Sequence, residues 1–307
     1  IAVKTMNLSF AFVRFPEPRK ADMTKLAVPP LPDVIIEPLV RLALTEDLGR
    51  AGDITTDATI PADTQMTATV RARETGVAAG YDAARLAARL VDASLEWTTL
   101  KEEGVRFEKG DELVRMKGSA RSILTAERMV LNFIGPLSGV ATLTRQFVDK
   151  VEGTNAKIVC TRKTTPGFRA LEKRAVRLGG GVNHRFGLDD AILIKDNHIA
   201  AAGGISAVME RANAAASHLC AVEIEVDTLE QLEEALPHGP DAVLLDNMSP
   251  ETLQKAIAMI DGRCKTEASG GVNLSTVRAI AETGVDFISV GALTHSAVNL
   301  DVGLDYG

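Results

Sequence analysis

The sequence predicts an α/β protein of two unlike parts: a small α+β domain, then a shortened, open α/β barrel. Three observations predict it. The length of 307 residues fits two domains, or one barrel with an appendage. Before about residue 120, alternating strand-like runs lie close together, as antiparallel neighbours do. After about residue 150, short apolar runs alternate with helical stretches, as parallel strands joined by crossover helices do.

In order, residues 1–32, closed by Pro29, Pro30 and Pro32, read as an extension and a candidate disordered segment, with no secretory pattern in the first 20 residues. An N-terminal domain is expected over 33–134. Ile35 to Leu44 has helical spacing, and 46–49 with 52–56 reads as a polar loop. Residues 66–73, 95–100 and 111–116 read as strands, 82–93 as an Ala-rich helix, and 122–148 as a helix broken at Gly135-Pro136. The barrel domain is expected over 135–298. Its apolar runs are 157–164, 191–198, 221–227, 241–247, 266–271 and 287–292, with helices at 204–217, 228–236, 249–260 and 274–283. Six strands are fewer than a closed eightfold barrel needs, so an open barrel is expected, with a doubly wound sheet as the alternative.

Composition narrows the function. Hydrophobic residues at 46% and charged residues at 24% exclude a largely disordered chain. A net charge of −7 argues against a general nucleic-acid or membrane-surface binder. Cys160, Cys220 and Cys264 form neither a disulfide framework nor a zinc pattern, which suits a reducing cytoplasm.

Three constellations carry chemistry. Between Arg162 and Lys195 the cations outnumber the acids by five, within an acidic chain. Arg169, Lys173 and Arg177 fall four apart and read as a solvated helix side. Arg162, Lys163 and Lys195 instead follow strand runs directly, where a barrel mouth lies, and Arg185 stands beside His184 after three glycines. Such a cluster suits a ligand with several negative charges. The second constellation is acidic. Glu223 and Glu225 point the same way from one strand, and Asp246 ends another. Each needs a cation or a metal if buried, and a structural ion pair is the competing reading, for Glu223 above all. The third is a pair of glycine turns, Ser269-Gly270-Gly271 and Val290-Gly291-Ala292, at the last two strands, where backbone amides commonly meet phosphate. His198 is a weaker candidate for the mouth.

These residues form a recognisable set. Thr161-Arg162-Lys163-Thr164-Thr165-Pro166-Gly167-Phe168-Arg169 closely resembles the signature of the quinolinate phosphoribosyltransferases. So do Gly180-Gly181-Val182-Asn183-His184-Arg185, Lys195-Asp196-Asn197-His198, Glu223-Ile224-Glu225-Val226, Leu244-Leu245-Asp246-Asn247 and Glu267-Ala268-Ser269-Gly270-Gly271, in the family's order. The resemblance runs from about Glu37 to the C-terminus.

It implies an α+β open-faced sandwich joined to an incomplete barrel, with the last residues, 299–307, returning to the N-terminal domain. It implies a cytoplasmic homodimer in which Arg128 crosses to the partner's site, with Arg121 as a lesser candidate. The implied reaction transfers phosphoribose from phosphoribosyl pyrophosphate (PRPP) to quinolinate, releasing pyrophosphate and CO₂. Arg128, Arg162, His184, Arg185 and Lys195 would bind quinolinate. Lys163, Glu225, Asp246, Ser269, Gly270, Gly271, Gly291 and Ala292 would bind PRPP. Glu225 and Asp246 would hold magnesium, partly through PRPP, and Lys163, Lys195, Glu225 and Asp246 would act in catalysis. Three rivals remain at this point: a relative acting on a monocarboxylate such as nicotinate, a Schiff-base aldolase using Lys195, and a non-catalytic phosphometabolite sensor.

Overall fold

The computed structural model describes residues 28–306. The expected extension over 1–32 therefore lies almost wholly outside the described residues. Its last residues are pinned: Leu31 N–H donates to Asp82 and the Pro29 carbonyl accepts from Arg174.

Helix α1 (Asp33–Leu48) buries Ile36, Val40 and Leu44 on one face and runs through 46–48, where a loop was expected. The second half of that expected loop is also helical, as α2 (Ile54–Thr59). Its start is set by Asp53, whose carboxylate accepts the Thr56 N–H at 2.9 Å. Strand β1 (Gln65–Ala72) and the short β2 (Gly76–Val77) lead to α3 (Tyr81–Val91). Then come β3 (Glu96–Thr99), β4 (Arg106–Phe107), β5 (Glu112–Ser119) and the long α4 (Ala120–Lys150).

Gly135-Pro136 does not break α4. The glycines there serve packing. A Cβ at Gly139 would lie 2.0 Å from the Val298 carbonyl, so the bare helix surface lets the C-terminal segment run against it. That segment ends in a strand over Val302–Tyr306, which pairs antiparallel with β1. The four-stranded sheet thus joins the two ends of the described chain, with β1 flanked by the last strand and β5, and β3 outside β5. The position 134/135 falls mid-helix in α4.

The second part is a parallel sheet. Strand β6 (Lys157–Val159) is followed by α5 (Arg169–Leu178), β7 (Ile192–Ile194), α6 (Asp196–Ala202) and α7 (Ile205–Ala215). Then come β8 (Val222–Val226), α8 (Leu229–Ala235), β9 (Ala242–Asp246), α9 (Pro250–Ile260), β10 (Lys265–Ser269), α10 (Val277–Ala281), β11 (Phe287–Ser289) and α11 (Ala292–His295); the terminal strand is β12. The spatial order β6-β11-β10-β9-β8-β7 places the first strand beside the last, as a barrel does. Val182 adds one parallel bridge beside Val159, and the ring stays open between Val182 and β7. The strands are shorter than the apolar runs, because the last residues of each run leave the sheet to form loops.

In β8 the apolar Val222, Ile224 and Val226 are buried while Glu223 and Glu225 are half-buried on the alternate face. One face of the strand packs and the other presents carboxylates. Helix α5 corrects another expectation. Lys173, expected in solvent, is 1% exposed, and Glu172 and Arg174 are also buried. Helix α5 packs against α4, and its buried polar residues bond to the loops of the site: Glu172 accepts the Thr165 N–H at 3.1 Å and Lys173 donates to the His184 carbonyl at 3.0 Å.

Candidate active site

Six strand ends converge on one cavity of about 510 Å³. Each wall comes from a different strand. Thr161, Arg162 and Lys163 follow β6, and Lys195 follows β7. Glu225 comes from β8, Asp246 ends β9, Ser269 ends β10 and Ser289 ends β11. His184 and Arg185 close the open side of the barrel, after the Val182 bridge. The expected residues Arg162, Lys163, His184, Arg185, Lys195, Glu225, Asp246 and Ser269 are therefore brought together. Just beyond the wall, Gly270 and Gly271 follow Ser269, Gly291 lies two residues after Ser289, and Ala292 opens α11.

The cations differ in what they already hold. Arg185 donates one guanidinium N–H to the Ala191 carbonyl at 3.0 Å, while its Nε is buried without a partner. The Nε of Arg162 is likewise buried and unpartnered. Burial first, and the nearby Arg162 charge second, push the Arg185 guanidinium below its usual range. Two guanidinium groups with buried, unpartnered Nε atoms in one pocket are groups that one carboxylate ligand could satisfy together. Arg169 braces this loop: its guanidinium donates to Thr164 Oγ1 at 3.0 Å and to the Phe186 carbonyl at 3.1 Å.

Lys195, just after β7, is ion-paired with Glu225 on the neighbouring strand β8. That pairing is unlike the desolvated or cation-flanked setting that activates a Schiff-base lysine, so the aldolase reading loses its support. His198, a candidate for the mouth, instead caps α6: its Nδ1 accepts the Lys195 N–H at 2.9 Å. Asp246 accepts from Asn247 Nδ2 at 2.5 Å. Asn247 holds left-handed backbone at φ 53°, tight against Gly270. A Cβ on Gly270 would meet Asn247 Oδ1 at 2.1 Å and its backbone N at 2.8 Å, so the turn after β10 requires glycine there.

Below the mouth lies a polar floor. His184 Nε2 is 3.1 Å from Glu223 and 3.6 Å from Glu267. Its Nδ1 accepts the Arg185 N–H at 2.8 Å. Burial works against charge on the ring, the two carboxylates favour it, and the net push on its pKa is upward. The Arg185 N–H nevertheless needs Nδ1 bare, so we place the ring proton on Nε2, facing the acids. Beneath, Lys173 Nζ donates to the His184 carbonyl at 3.0 Å and to Cys160 Sγ at 3.1 Å.

His184, Glu223 and Glu267 form the single group of three metal-capable side chains gathered among the described residues. Glu225 and Asp246 supply two carboxylates to the cavity. That number fits a magnesium ion that keeps water and substrate phosphates as its remaining ligands.

Residue Arg128 is not part of this chain's cavity. It lies exposed on α4. Arg121 is committed elsewhere, donating to the Ile60 carbonyl at 2.8 Å and to Asp57 at 3.2 Å. Sequence reasoning gave no role to Glu267, which lines the cavity. The signal was available: Glu267 lies two residues before Ser269 and so shares its face of the strand, as Glu223 does with Glu225.

Residues 53–138 match the quinolinate phosphoribosyl transferase N-terminal domain family, and residues 140–305 match the C-terminal domain family. The chain belongs to the quinolinate phosphoribosyltransferases. It is 48% identical over 271 residues to the nicotinate-nucleotide pyrophosphorylase (carboxylating) of Mycobacterium leprae, an alignment spanning 87% of this chain and 95% of that protein. It is 41% identical over 310 residues to the chloroplastic enzyme of the same name from Oryza sativa, covering 94% and 83% of the two chains. The solved nicotinate-nucleotide pyrophosphorylase of Francisella tularensis superposes with a TM-score of 0.86 at 40% identity, over 91% of this chain and 99% of that one. This quinolinate phosphoribosyltransferase fold is thus the open barrel with its appended antiparallel sheet. Among the described residues no helix is long and apolar enough to cross a membrane.

Proposed function

We propose that this chain transfers the phosphoribosyl group of PRPP to quinolinate with loss of CO₂, giving nicotinate mononucleotide and pyrophosphate for NAD synthesis. The observation that carries the reading is the pair of arginines, Arg162 and Arg185, each with a buried unpartnered Nε in one cavity, opposite Glu225 and Asp246. Quinolinate supplies adjacent carboxylates for the guanidinium forks. Lys195 joins them once a substrate releases it from Glu225. His184, with both ring nitrogens engaged, shapes the floor beneath the pyridine.

Lys163 faces the pyrophosphate side, with its carbonyl held by Thr294 Oγ1 at 2.8 Å. Glu225 and Asp246 hold the ribose hydroxyls and the magnesium ion. Ser269, Gly270, Gly271, Gly291 and Ala292 present small residues to the 5′-phosphate. Magnesium, when bound, offsets the charge that develops on departing pyrophosphate.

The pyridine nitrogen forms its bond to ribose C1 as the C1–pyrophosphate oxygen bond breaks. The oxocarbenium-like transition state is stabilised by position and charge, with no covalent nucleophile. Glycosylation makes the nitrogen cationic. The C2–carboxylate bond then breaks, CO₂ leaves, and the electron pair left at C2 takes up a proton.

The exposed Arg128 supports a homodimer in which it completes the partner's pocket. Three free cysteines suit the cytoplasm. The test is incubation with quinolinate, PRPP and Mg²⁺, with the product identified by mass and CO₂ counted. Nicotinate mononucleotide with stoichiometric CO₂ is expected. Equal turnover of nicotinate without CO₂ would favour the monocarboxylate relative, and PRPP binding without pyrophosphate release would favour a sensor.

A further inference from the structure

The floor of the cavity holds a group that the reaction as described leaves unused. Glu267 sits mid-strand in β10 with its side chain on the inner face, is 5% exposed, and lines the cavity. Its Oε1 is buried without a hydrogen-bond partner. An ionised carboxylate with a bare oxygen, at the base of a pocket built for anions, would repel a dianion entering it.

The surroundings decide its state. Glu223 on β8 faces it and is bonded to the Nε2–H of His184, which therefore gives Glu267 only a longer 3.6 Å contact. Ser289 on β11 lies alongside, and Lys173 on α5 is committed to the His184 carbonyl and Cys160. Lys195, beyond β7, is held by Glu225, and the Arg162 and Arg185 guanidinium groups stand at the mouth. Burial, and then the Glu223 charge, raise the Glu267 carboxyl to about 7, against weaker pulls from His184, Ser289 and Lys195. A metal bridging His184, Glu223 and Glu267 fits poorly. It would need the Nε2 lone pair while Arg185 N–H already occupies Nδ1, leaving the imidazole with no proton at all.

We infer that Glu267 binds substrate as a neutral carboxylic acid, donating its proton in a hydrogen bond to a carboxylate of quinolinate. A carboxyl kept neutral in an apolar or acidic setting is a donor that a carboxylate accepts strongly. The arginines then grip the dianion from the mouth while Glu267 meets it from the floor, and monocarboxylates lose one of these contacts. Nothing leaves covalently in this step; one proton is held between two oxygens. The inference rests on the cavity being a quinolinate site.

The test is quinolinate binding to the intact protein by calorimetry at pH 6 and pH 8.5, in buffers of different ionisation enthalpy, together with steady-state kinetics. The wild-type protein should take up close to one proton per quinolinate at pH 8.5 and far less at pH 6. Its KM for quinolinate should rise about tenfold per pH unit once Glu267 ionises, with KM for PRPP flat. Glu267→Gln, a permanently neutral donor, should bind without proton uptake and hold a pH-independent KM within about threefold of the wild-type value at pH 6. Glu267→Ala should raise KM for quinolinate at every pH. Absence of proton uptake by the wild-type protein at pH 8.5, or a Glu267→Gln variant whose KM climbs with pH as the wild type's does, overturns the inference. Failure of the wild-type protein to bind or turn over quinolinate at any pH instead removes the reading of the site itself.

Discussion

The antiparallel sheet and the barrel mouth use the same charged side chains in opposite ways. On the small sheet and beside it the charges cancel locally: Arg71 bonds Glu112 at 2.7 Å and shares Asp305 with Arg73, Lys101 holds Asp111 at the strand ends, and Arg106 of β4 holds Asp149 of α4. These pairs are partly exposed, and such pairs contribute little to stability. At the barrel mouth Arg162 and Arg185 crowd together with unpartnered Nε atoms, and Glu267 lies buried with a bare oxygen. The lesson is that concentrated charge left without partners marks a place where folding energy has been forgone for a ligand.

That contrast can be broken from either side. The largest effect is expected at the arginines. Arg162→Ala should lower kcat/KM for quinolinate about a hundredfold, the equivalent of roughly 3 kcal/mol for a lost charge-assisted contact. The same variant should keep the wild-type denaturation midpoint, because its partner in repulsion is relieved. A variant with near-normal kcat/KM would erase the distinction between the two regions.

Next comes the support beneath the site. Lys173→Ala leaves the His184 carbonyl without its donor and opens a void, and should cost about 2–4 kcal/mol in chemical denaturation. An unchanged midpoint would mean that Lys173 is not held as described.

Gly270→Ala should raise KM for PRPP more than KM for quinolinate, by about tenfold. The new methyl collides with Asn247 in a turn that already has φ +91°. Equal effects on both substrates would place this turn at the wrong end of the cavity.

A smaller effect is a slope. The unfolded Glu267 carboxyl loses its proton near 4.5, while the folded one keeps it to about 7. Across that window the folded state holds more protons, so stability falls as pH rises from 4.5 to 7, and the loss is complete above 7. Glu267→Gln should flatten this slope in denaturation measured from pH 4.5 to 8; an unchanged slope would assign it to other groups.

The smallest effect belongs to the exposed pair between β4 and α4. Arg106→Ala should leave both the denaturation midpoint and kcat/KM nearly unchanged.

Much of this was legible in the chain, and the reasons are physical. The six apolar runs were readable because burial of a parallel sheet demands local hydrophobicity, and the site residues followed because barrels place function where those runs end. Arg162, Lys195, Glu225 and Asp246 all stood at such ends. Lys173 was misread as solvated because four-residue spacing describes a helix face but not what packs on it; α5 lies between α4 and the site loops. Gly135-Pro136 was misread as a break because local propensity cannot see residues 298–300 lying against that stretch of α4.

What the amino-acid order determined alone was the alternation of strand and helix, the family signature, and the list of charged groups carried to the strand ends. Those depend on neighbours along the chain. Which of those charges would be paired, as Lys195 is with Glu225, which left bare, as Glu267 Oε1 is, and which nitrogen of His184 carries its proton were decided only by the tertiary structure. Desolvation and pairing depend on groups brought together across dozens of residues, and no local pattern encodes that proximity.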